Sequence, residues 1–307
     1  MVDPFPADMD LLTGDIDRGV AYVDGEFRSI RDAKIWVWDA GFSAGAAVFD
    51  VLSAYRGWML KLDAHVGRFF RSMHAVRIPP PLSKEDLRGL LLETVRRAGL
   101  QDSYVCSIAT RGRRTAARMD QWQPTLIVYA IPYLSILPPA VVKSGGKLRI
   151  SSVRNVPIQC VDPKIKTYNR MHSYLAQLEA IDAGAHEAVL LDLDGFVSEA
   201  RGANVFAVRR GRLYTPQENV LEGITRETVF EIAEREGLPA FQTRMPPYEL
   251  YTADEVFLAS TAGGVMPFVE VDGRVIGSGK PGEITMRLRQ LYWQTHTDPR
   301  YCTPVYP

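Results

Sequence analysis

Ile165-Lys166-Thr167-Tyr168-Asn169, then Val197-Ser198-Glu199-Ala200, then Leu221-Glu222-Gly223-Ile224-Thr225-Arg226: these stretches, in this order, decide how the 307-residue chain is read. The first places a lysine just ahead of a helix. Met171, Tyr174, Leu175, Leu178 and Ile181 mark one face of that helix, and Gly184 is placed to stop it. The second places a glutamate just after the short strand 196–198, which follows the strand 187–191 across the Asp194-Gly195 turn. The third opens another helix, 225–236, whose start offers unpaired backbone N–H groups and the positive end of a helix dipole. Taken singly, a lysine before a helix is usually solvated and a threonine at a helix start is usually a cap. Their order and spacing carry the information.

Outward from this frame, the first half alternates short strands and helices. Residues 20–23 and 27–29 flank Asp24-Gly25 and read as a hairpin, with further strands at 34–38 and 48–55. Val66, Phe69, Phe70, Met73 and Val76 predict a helix after Asp63. Ser83 with Asp86 forms a capping pattern for a second helix ending before Gly99. Strands at 104–110 and 125–130 bracket a basic loop. A stretch rich in proline, Ile131-Pro132-Tyr133 to Pro138-Pro139, then predicts a linker. The domain boundaries follow as a small N-terminal α/β domain over 1–131, a linker over 132–140 and a larger domain over 141–307. In the larger domain, strands at 204–208 and 213–215 meet at Arg210-Gly211. A strand at 255–259, a hairpin at Asp272-Gly273 and a helix at 284–294 complete it. Runs of strands broken by a few helices imply an α/β, mixed α+β architecture of two halves rather than one doubly wound sheet.

The three opening stretches, with Glu187-Ala188-Val189-Leu190-Leu191, Asn204-Val205-Phe206, Asp254-Glu255-Val256-Phe257 and Ser260-Thr261-Ala262-Gly263-Gly264, resemble the class IV aminotransferases. That family includes branched-chain aminotransferases, D-amino acid aminotransferases, R-selective amine transaminases and aminodeoxychorismate lyase, and the resemblance covers most of the chain. It implies a two-domain fold with mixed β-sheets and flanking helices, and a pyridoxal 5'-phosphate cofactor bound by the larger domain. By it, Lys166 is the catalytic residue that forms the Schiff base and Glu199 faces the pyridinium nitrogen. Ile224, Thr225, Ser260 and Thr261 would bind the cofactor through its phosphate, joined by Arg68 of His65-Val66-Gly67-Arg68. Arg68 lies off the apolar stripe of its helix, so its local pattern alone would place it in solvent. Lys164 is a rival two residues earlier, but the spacing to Asn169 favours Lys166.

This chemistry implies a ping-pong exchange between an amine or amino acid donor and a keto acid acceptor such as pyruvate. Thr261-Ala262-Gly263-Gly264-Val265-Met266-Pro267, with Tyr292-Trp293 and His296, is most similar to the R-selective amine transaminases and implies an R-configured primary amine as donor. Ser43-Ala44-Gly45-Ala46-Ala47 and Cys106 depart from that group's pattern, which leaves a branched-chain or D-amino acid donor as the alternative and a lyase as a more distant one. Phe49, Tyr104, Cys106 and Ala262 are the expected lining of the substrate pocket. The basic loop Arg111-Gly112-Arg113-Arg114-Thr115-Ala116-Ala117-Arg118 is the expected carboxylate receptor, with Arg118 as its contact. Arg170, where relatives commonly carry an aromatic or apolar residue, either points at solvent or adds charge beside the cofactor.

Composition sets the outer bounds. Lys and Arg total 36 and Asp and Glu total 36, so no net field gathers nucleic acid or an anionic membrane. The 3 cysteines are odd in number and far apart, fitting neither a disulfide framework nor a metal site. The acidic, proline-containing start MVDPFPADMD is unlike a signal peptide, and the expected location is cytoplasmic. Gly277-Ser278-Gly279-Lys280-Pro281-Gly282 spells a dinucleotide motif, but too little chain follows it to complete a nucleotide-binding half. From the resemblance alone, the assembly is expected to be a homodimer.

Overall fold

The computed structural model describes residues 16–306; the segment read above as lacking a signal peptide lies outside them. Chain contacts divide the molecule into two units. One, the N-terminal unit, runs to Leu134 and also takes in Ile165–Asn169 and the chain from Thr295 onward. The other, the C-terminal unit, comprises Ser135–Lys164 and Arg170–Gln294. The Lys166 segment is therefore counted with the N-terminal unit although it lies far along the sequence.

In the N-terminal unit, β1 (Val20–Val23) and β2 (Glu26–Ser29) form the expected hairpin, with Asp24 and Gly25 both at positive φ. Then come α1 (Ala40–Ala44), β3 (Ala47–Tyr55), β4 (Trp58–Leu60), α2 (Leu62–Ala75), α3 (Lys84–Ala98), β5 (Ser103–Arg113) and β6 (Gln123–Pro132). The sheet runs in the order Cys302–Pro304, β4, β3, β5, β6, β1, β2, every neighbouring pair antiparallel. Ser83 caps α3 as its sequence predicts, its Oγ accepting from the Asp86 N–H at 3.1 Å. All nine residues of β3 are buried, so both faces of this strand are covered. Val48, Leu52 and Ala54 join Val66, Phe69 and Met73 of α2 and Leu87, Leu91 and Val95 of α3 in the main core. Phe49 and Val51 alternate onto the other face with Cys106 of β5.

The strand expected at 34–38 does not form. Trp36, Val37 and Trp38 are exposed, and the guanidinium groups of Arg113 and Arg114 lie over the Trp36 and Trp38 rings at 5.6 and 4.9 Å. A run of aromatic and β-branched residues gives the local signal of a strand; here it supplies platforms for cations instead.

The C-terminal unit holds α4 (Pro139–Ser144), β7 (Gly146–Arg154), α5 (Met171–Asp182), β8 (Glu187–Leu191), β9 (Val197–Ala200), β10 (Asn204–Arg209), β11 (Arg212–Pro216) and α6 (Ile224–Arg235). After these come β12 (Ala240–Thr243), α7 (Pro247–Tyr251), β13 (Glu255–Ser260), β14 (Gly264–Val271), β15 (Arg274–Val275) and α8 (Glu283–Thr295). Its mixed sheet runs β12, β11, β10, β13, β14, β7, β8, β9, with β15 on β14. The pairs β11–β12, β14–β7 and β7–β8 are parallel. The strand β7 is central but half polar, Lys147 and Arg149 alternating with Leu148 and Ile150, and the sequence reading passed over it.

The helix α5 turns the other way from its apolar pattern. Met171, Tyr174, Leu175, Leu178 and Ile181 are all exposed, and Ser173, Ala176 and Ala180 are buried. The small residues form a cluster with Ala188 and Leu190 of β8, and Glu179 fastens the helix to Ser151 and Ser152 of β7. Among the described residues no helix is long and apolar enough to cross a membrane.

Candidate active site

In the N-terminal unit the site is built on β3. Residues 47–49 pair with residues 166–168: the Phe49 N–H donates to the Lys166 carbonyl at 2.8 Å, and the Tyr168 N–H and Thr167 hydroxyl both donate to the Ala47 carbonyl. The Lys166 N–H donates in turn to Ser72 Oγ on α2 at 3.2 Å. The lysine peptide is thus held on both sides, one side by a strand and the other by a helix. Asn169 closes the segment by donating from Nδ2 to the Gly45 carbonyl at 3.0 Å. Gly45 sits at φ 64°, and a Cβ there would come within 2.4 Å of Asn169 Oδ1.

The Lys166 side chain extends over the Phe49 ring, with Nζ 4.7 Å from its centroid. Tyr168 stacks on the same ring at 4.2 Å, and its hydroxyl is 3.6 Å from Cys106 Sγ. Tyr104 and Tyr129 stack at 6.4 Å and pack against the same cluster. The structure therefore brings Phe49, Tyr104 and Cys106 together around Lys166, as the sequence reading grouped them. It adds Tyr129 and Tyr168, which that reading missed. The alternation of an extended chain was the available signal for Tyr168, since residues 166 and 168 share a side. Burial pushes the Cys106 thiol up to about 11, so it is a packed, protonated group rather than a nucleophile.

Behind β3 lies a charged cluster. Asp50, fully buried, accepts from Arg68 Nε at 2.7 Å and Nη2 at 2.9 Å, and His65 Nδ1 stands 2.7 Å away. Burial by itself would raise the pKa of Asp50. The Arg68 guanidinium and the His65 donor outweigh it and hold the carboxyl far below the usual carboxylate range. Burial lowers the pKa of His65, so the ring is neutral and Nδ1–H donates to Asp50. Arg68 is 4% exposed, which corrects the solvent position suggested by its helical pattern. Asp50 and His65 were not singled out from the sequence. An acid inside the apolar run 48–55 was the signal, because a buried carboxylate needs a cationic partner.

The basic loop is mostly engaged elsewhere. Arg111 donates to the Trp122 carbonyl at 2.6 Å, while Arg113 and Arg114 face the tryptophans described above. Arg118 is exposed and paired with Asp120 at 2.7 Å.

In the C-terminal unit, Glu199 accepts from the Leu221 N–H at 2.9 Å, and Asn204 Nδ2 donates to the Leu221 carbonyl at 3.0 Å. This peptide leads into Gly223, where a Cβ would come within 2.0 Å of Asn204 Oδ1, so no larger residue fits. The helix α6 follows with no side chain capping its start. Ile224 and Thr225 are buried there, and Thr225 Oγ1 is 3.3 Å from the Tyr292 hydroxyl. Tyr292 also packs against the turn after β13, since a Cβ on Gly264 would lie 2.7 Å from its ring. In that turn Ser260 donates to the Gly202 carbonyl and accepts from the Ala262 N–H, and Thr261 stands between them in sequence. Buried Arg289, also missed from the sequence, donates to the Gly263 and Val265 carbonyls at 3.0 and 2.7 Å and fixes the turn. Arg170 donates to the Arg201 carbonyl, and Lys164 forms a surface pair with Asp162 at 3.5 Å.

These donors fit pyridoxal phosphate. Lys166 supplies a primary amine on a fixed backbone and Glu199 a carboxylate. The uncapped start of α6, with a glycine ahead of it that admits no side chain, is a ready anion cradle.

The chain matches the amino-transferase class IV family over residues 47–271. It is 37% identical over 280 residues to a putative branched-chain-amino-acid aminotransferase of Methanocaldococcus jannaschii, covering 90% of this chain and 96% of that protein. It is 29% identical to a D-alanine aminotransferase of Bacillus licheniformis over 87% of this chain and 93% of that one. Among solved structures, a T.th. branched-chain amino acid aminotransferase complexed with N-(5'-phosphopyridoxyl)-L-glutamate superposes with a TM-score of 0.87 at 33% identity, covering 94% of this chain and 99% of that one.

Proposed function

Because the chain belongs to the class IV aminotransferases and uses pyridoxal phosphate, we propose that it moves the amino group of a branched-chain amino acid to a 2-keto acid. The observation that carries this reading is the 37% identity to the putative branched-chain enzyme across nearly the whole of both chains. The apolar and aromatic surface beside Lys166, made by Phe49, Cys106 and Tyr168, supports it, since such a surface suits an aliphatic side chain. On this reading the donor is a branched-chain amino acid rather than the R-configured amine expected from the C-terminal residues.

When bound, the cofactor draws electron density from the substrate's α-carbon so that its proton can leave. In the proposed assignment Lys166 would hold the cofactor, and its Nζ, when free, would take that proton and later return it. The extended backbone at 166–168 and the Ser72 contact keep that amine on one track. Glu199 would keep the pyridine nitrogen protonated. The N–H groups of Ile224 and Thr225, the hydroxyls of Thr225 and Thr261, and Arg68 would hold the phosphate, and Ser260, whose hydroxyl donates to the Gly202 carbonyl, would shape the turn beside it. Phe49, Tyr104, Cys106 and Ala262 shape the space for the donor side chain. The substrate carboxylate falls to the basic loop, with Arg118 as its contact: an exposed pair such as Arg118–Asp120 is worth little, so an incoming carboxylate displaces Asp120 at small cost. A cytoplasmic homodimer is part of the same proposal. The apolar face of α5, exposed at five positions, offers surface for a second copy.

The test is to follow the absorption of the bound cofactor while L-leucine, D-alanine, L-glutamate and R-1-phenylethylamine are added in separate cuvettes. Rapid bleaching by L-leucine is the expected result. Bleaching by the R-amine or by D-alanine, with L-leucine inert, refutes the branched-chain reading in favour of the donor that works.

A further inference from the structure

The hairpin between β10 and β11 turns through Arg209-Arg210-Gly211-Arg212, a run with no part in the reaction above. Arg209 and Arg212 are cross-strand partners, so two guanidinium-bearing residues stand directly opposite on one face of the sheet. Like charges in that position destabilise a sheet. Arg210 adds a second local cost, holding φ 49° in a turn where asparagine is the favoured residue. Local preference and observed sequence disagree twice within four residues, the pattern expected where a site is kept at the expense of the fold.

The surroundings are concave. Ala207 and Tyr214 pair one step back along the same strands, and strand alternation sets them on the face that carries Arg209 and Arg212. With Arg244, which follows β12, and Glu249 on α7, these residues line a depression of about 490 Å³. The Arg209 guanidinium is bonded to Glu249 at 2.8 Å, and Arg244 lies over the Phe196 ring and reaches Asp194 at 2.8 Å. The side chains of Arg210 and Arg212 form no ion pair among the described residues. Four arginines thus line the depression with Glu249, while Asp194 and Glu218 pair with Arg244 and the Asp254 carboxylate accepts from the Arg210 N–H at 2.6 Å, leaving the Arg210 and Arg212 guanidinium groups as the ones available to a ligand. Tyr214, stacked on Phe241 at 5.6 Å, forms part of its wall.

We propose that this depression binds a small multivalent oxyanion, a di- or polyphosphate or a polycarboxylate, gripped by Arg210 and Arg212, with Arg209 and Arg244 held in place beside them by their own carboxylate partners. The planar fork of arginine matches phosphate and carboxylate oxygens two at a time. The size of the depression and the zero formal net charge of the whole chain restrict the ligand to a small molecule rather than a nucleic acid.

The experiment is calorimetric titration of the cofactor-loaded enzyme with inorganic pyrophosphate and, in parallel, with citrate. The protein is compared with its Arg210→Gln/Arg212→Gln double variant. One saturable site is expected, weakened at least tenfold in the double variant and weakened as well by added salt. Tighter pyrophosphate binding identifies a phosphorylated ligand and tighter citrate binding a polycarboxylate. Cofactor absorption and turnover without added anion stay unchanged in the variant. Its thermal midpoint is equal to or above that of the parent protein, because the opposed charges are gone. Equal binding by both proteins places the anion elsewhere, at the cofactor phosphate site for instance, and overturns the proposal, as does the absence of saturable heat with either probe. Neither result bears on the donor specificity proposed above.

Discussion

Replacing Asp50 by asparagine removes one negative charge from a cluster that water does not reach. In the native chain its two oxygens take hydrogen bonds from Arg68 at 2.7 and 2.9 Å and stand 2.7 Å from His65, with all three residues at most 4% exposed. The amide keeps the volume and one acceptor oxygen but strands the Arg68 charge in the interior, a change that costs about 3–5 kcal/mol when a buried pair loses one partner. With a urea slope of about 2 kcal/mol/M, the unfolding midpoint of the apoprotein falls by about 1.5–2.5 M. Near-ultraviolet circular dichroism, which reports the aromatic packing around β3, is the appropriate probe. The double variant Asp50→Leu/Arg68→Met removes both charges and recovers much of the loss, because an uncompensated charge is costlier than an apolar pair of similar volume. Asp120→Asn, which breaks the exposed pair with Arg118, leaves the midpoint in place. A loss below about 1 kcal/mol in Asp50→Asn, or a double variant no more stable than the single one, would show that the cluster is not an electrostatic unit.

Three further outcomes follow from the same geometry. Ser72→Ala frees one side of the Lys166 peptide and, at about 1 kcal/mol for a lost hydrogen bond, lowers kcat about fivefold with KM little changed. It also moves the pH at which the bound cofactor's absorption changes, a readout that stability alone leaves untouched; an unaltered pH profile would remove Ser72 from the positioning of the lysine. Burial depresses the pKa of His65 below its ordinary 6.5, so its contribution to stability is present above that pH and is lost as the pH falls toward the folded-state pKa. The loss reaches at most about 1.4 kcal/mol per pH unit, checked by urea unfolding between pH 7.5 and 5.5, and a flat profile would mean that the folded ring protonates as readily as the unfolded one. Leu175→Glu/Leu178→Glu places charges on the exposed apolar face of α5 and shifts the mass measured by light scattering from dimer to monomer; an unchanged dimer mass clears α5 of that role.

Much of the chain was legible one segment at a time. The Asp24-Gly25 hairpin, the Ser83 cap and the start of α6 after Gly223 each depend on a few neighbouring residues, so the sequence alone determined them. Phe49, Tyr104 and Cys106 were expected as pocket lining, Cys106 through the family resemblance, and the pairing of β3 with β5 brings them into one cluster. Where the pattern was ambiguous, the partner decided. Residues 34–38 carry a strand-like composition but found arginines instead of a neighbouring strand, and β7 carries a half-polar pattern yet sits between two parallel neighbours.

The tertiary structure decided the rest, for reasons of packing and charge. On α5 a stripe of large apolar residues predicted the buried face, but the helix lies close to β7 and β8 through Ser173, Ala176 and Ala180, and the larger side chains stay outside. Arg68 appeared solvent-bound on its helix until β3 placed Asp50 opposite it, since a local pattern records which side chains share a face and not which charge meets them there. The sequence by itself determined the family, many of the elements and the reactive lysine's candidacy. Only the folded chain decided that the Lys166 peptide is held between β3 and Ser72, and that residues 243–249 close a depression around the arginines of the 209–212 hairpin end, because both depend on contacts between segments far apart in sequence.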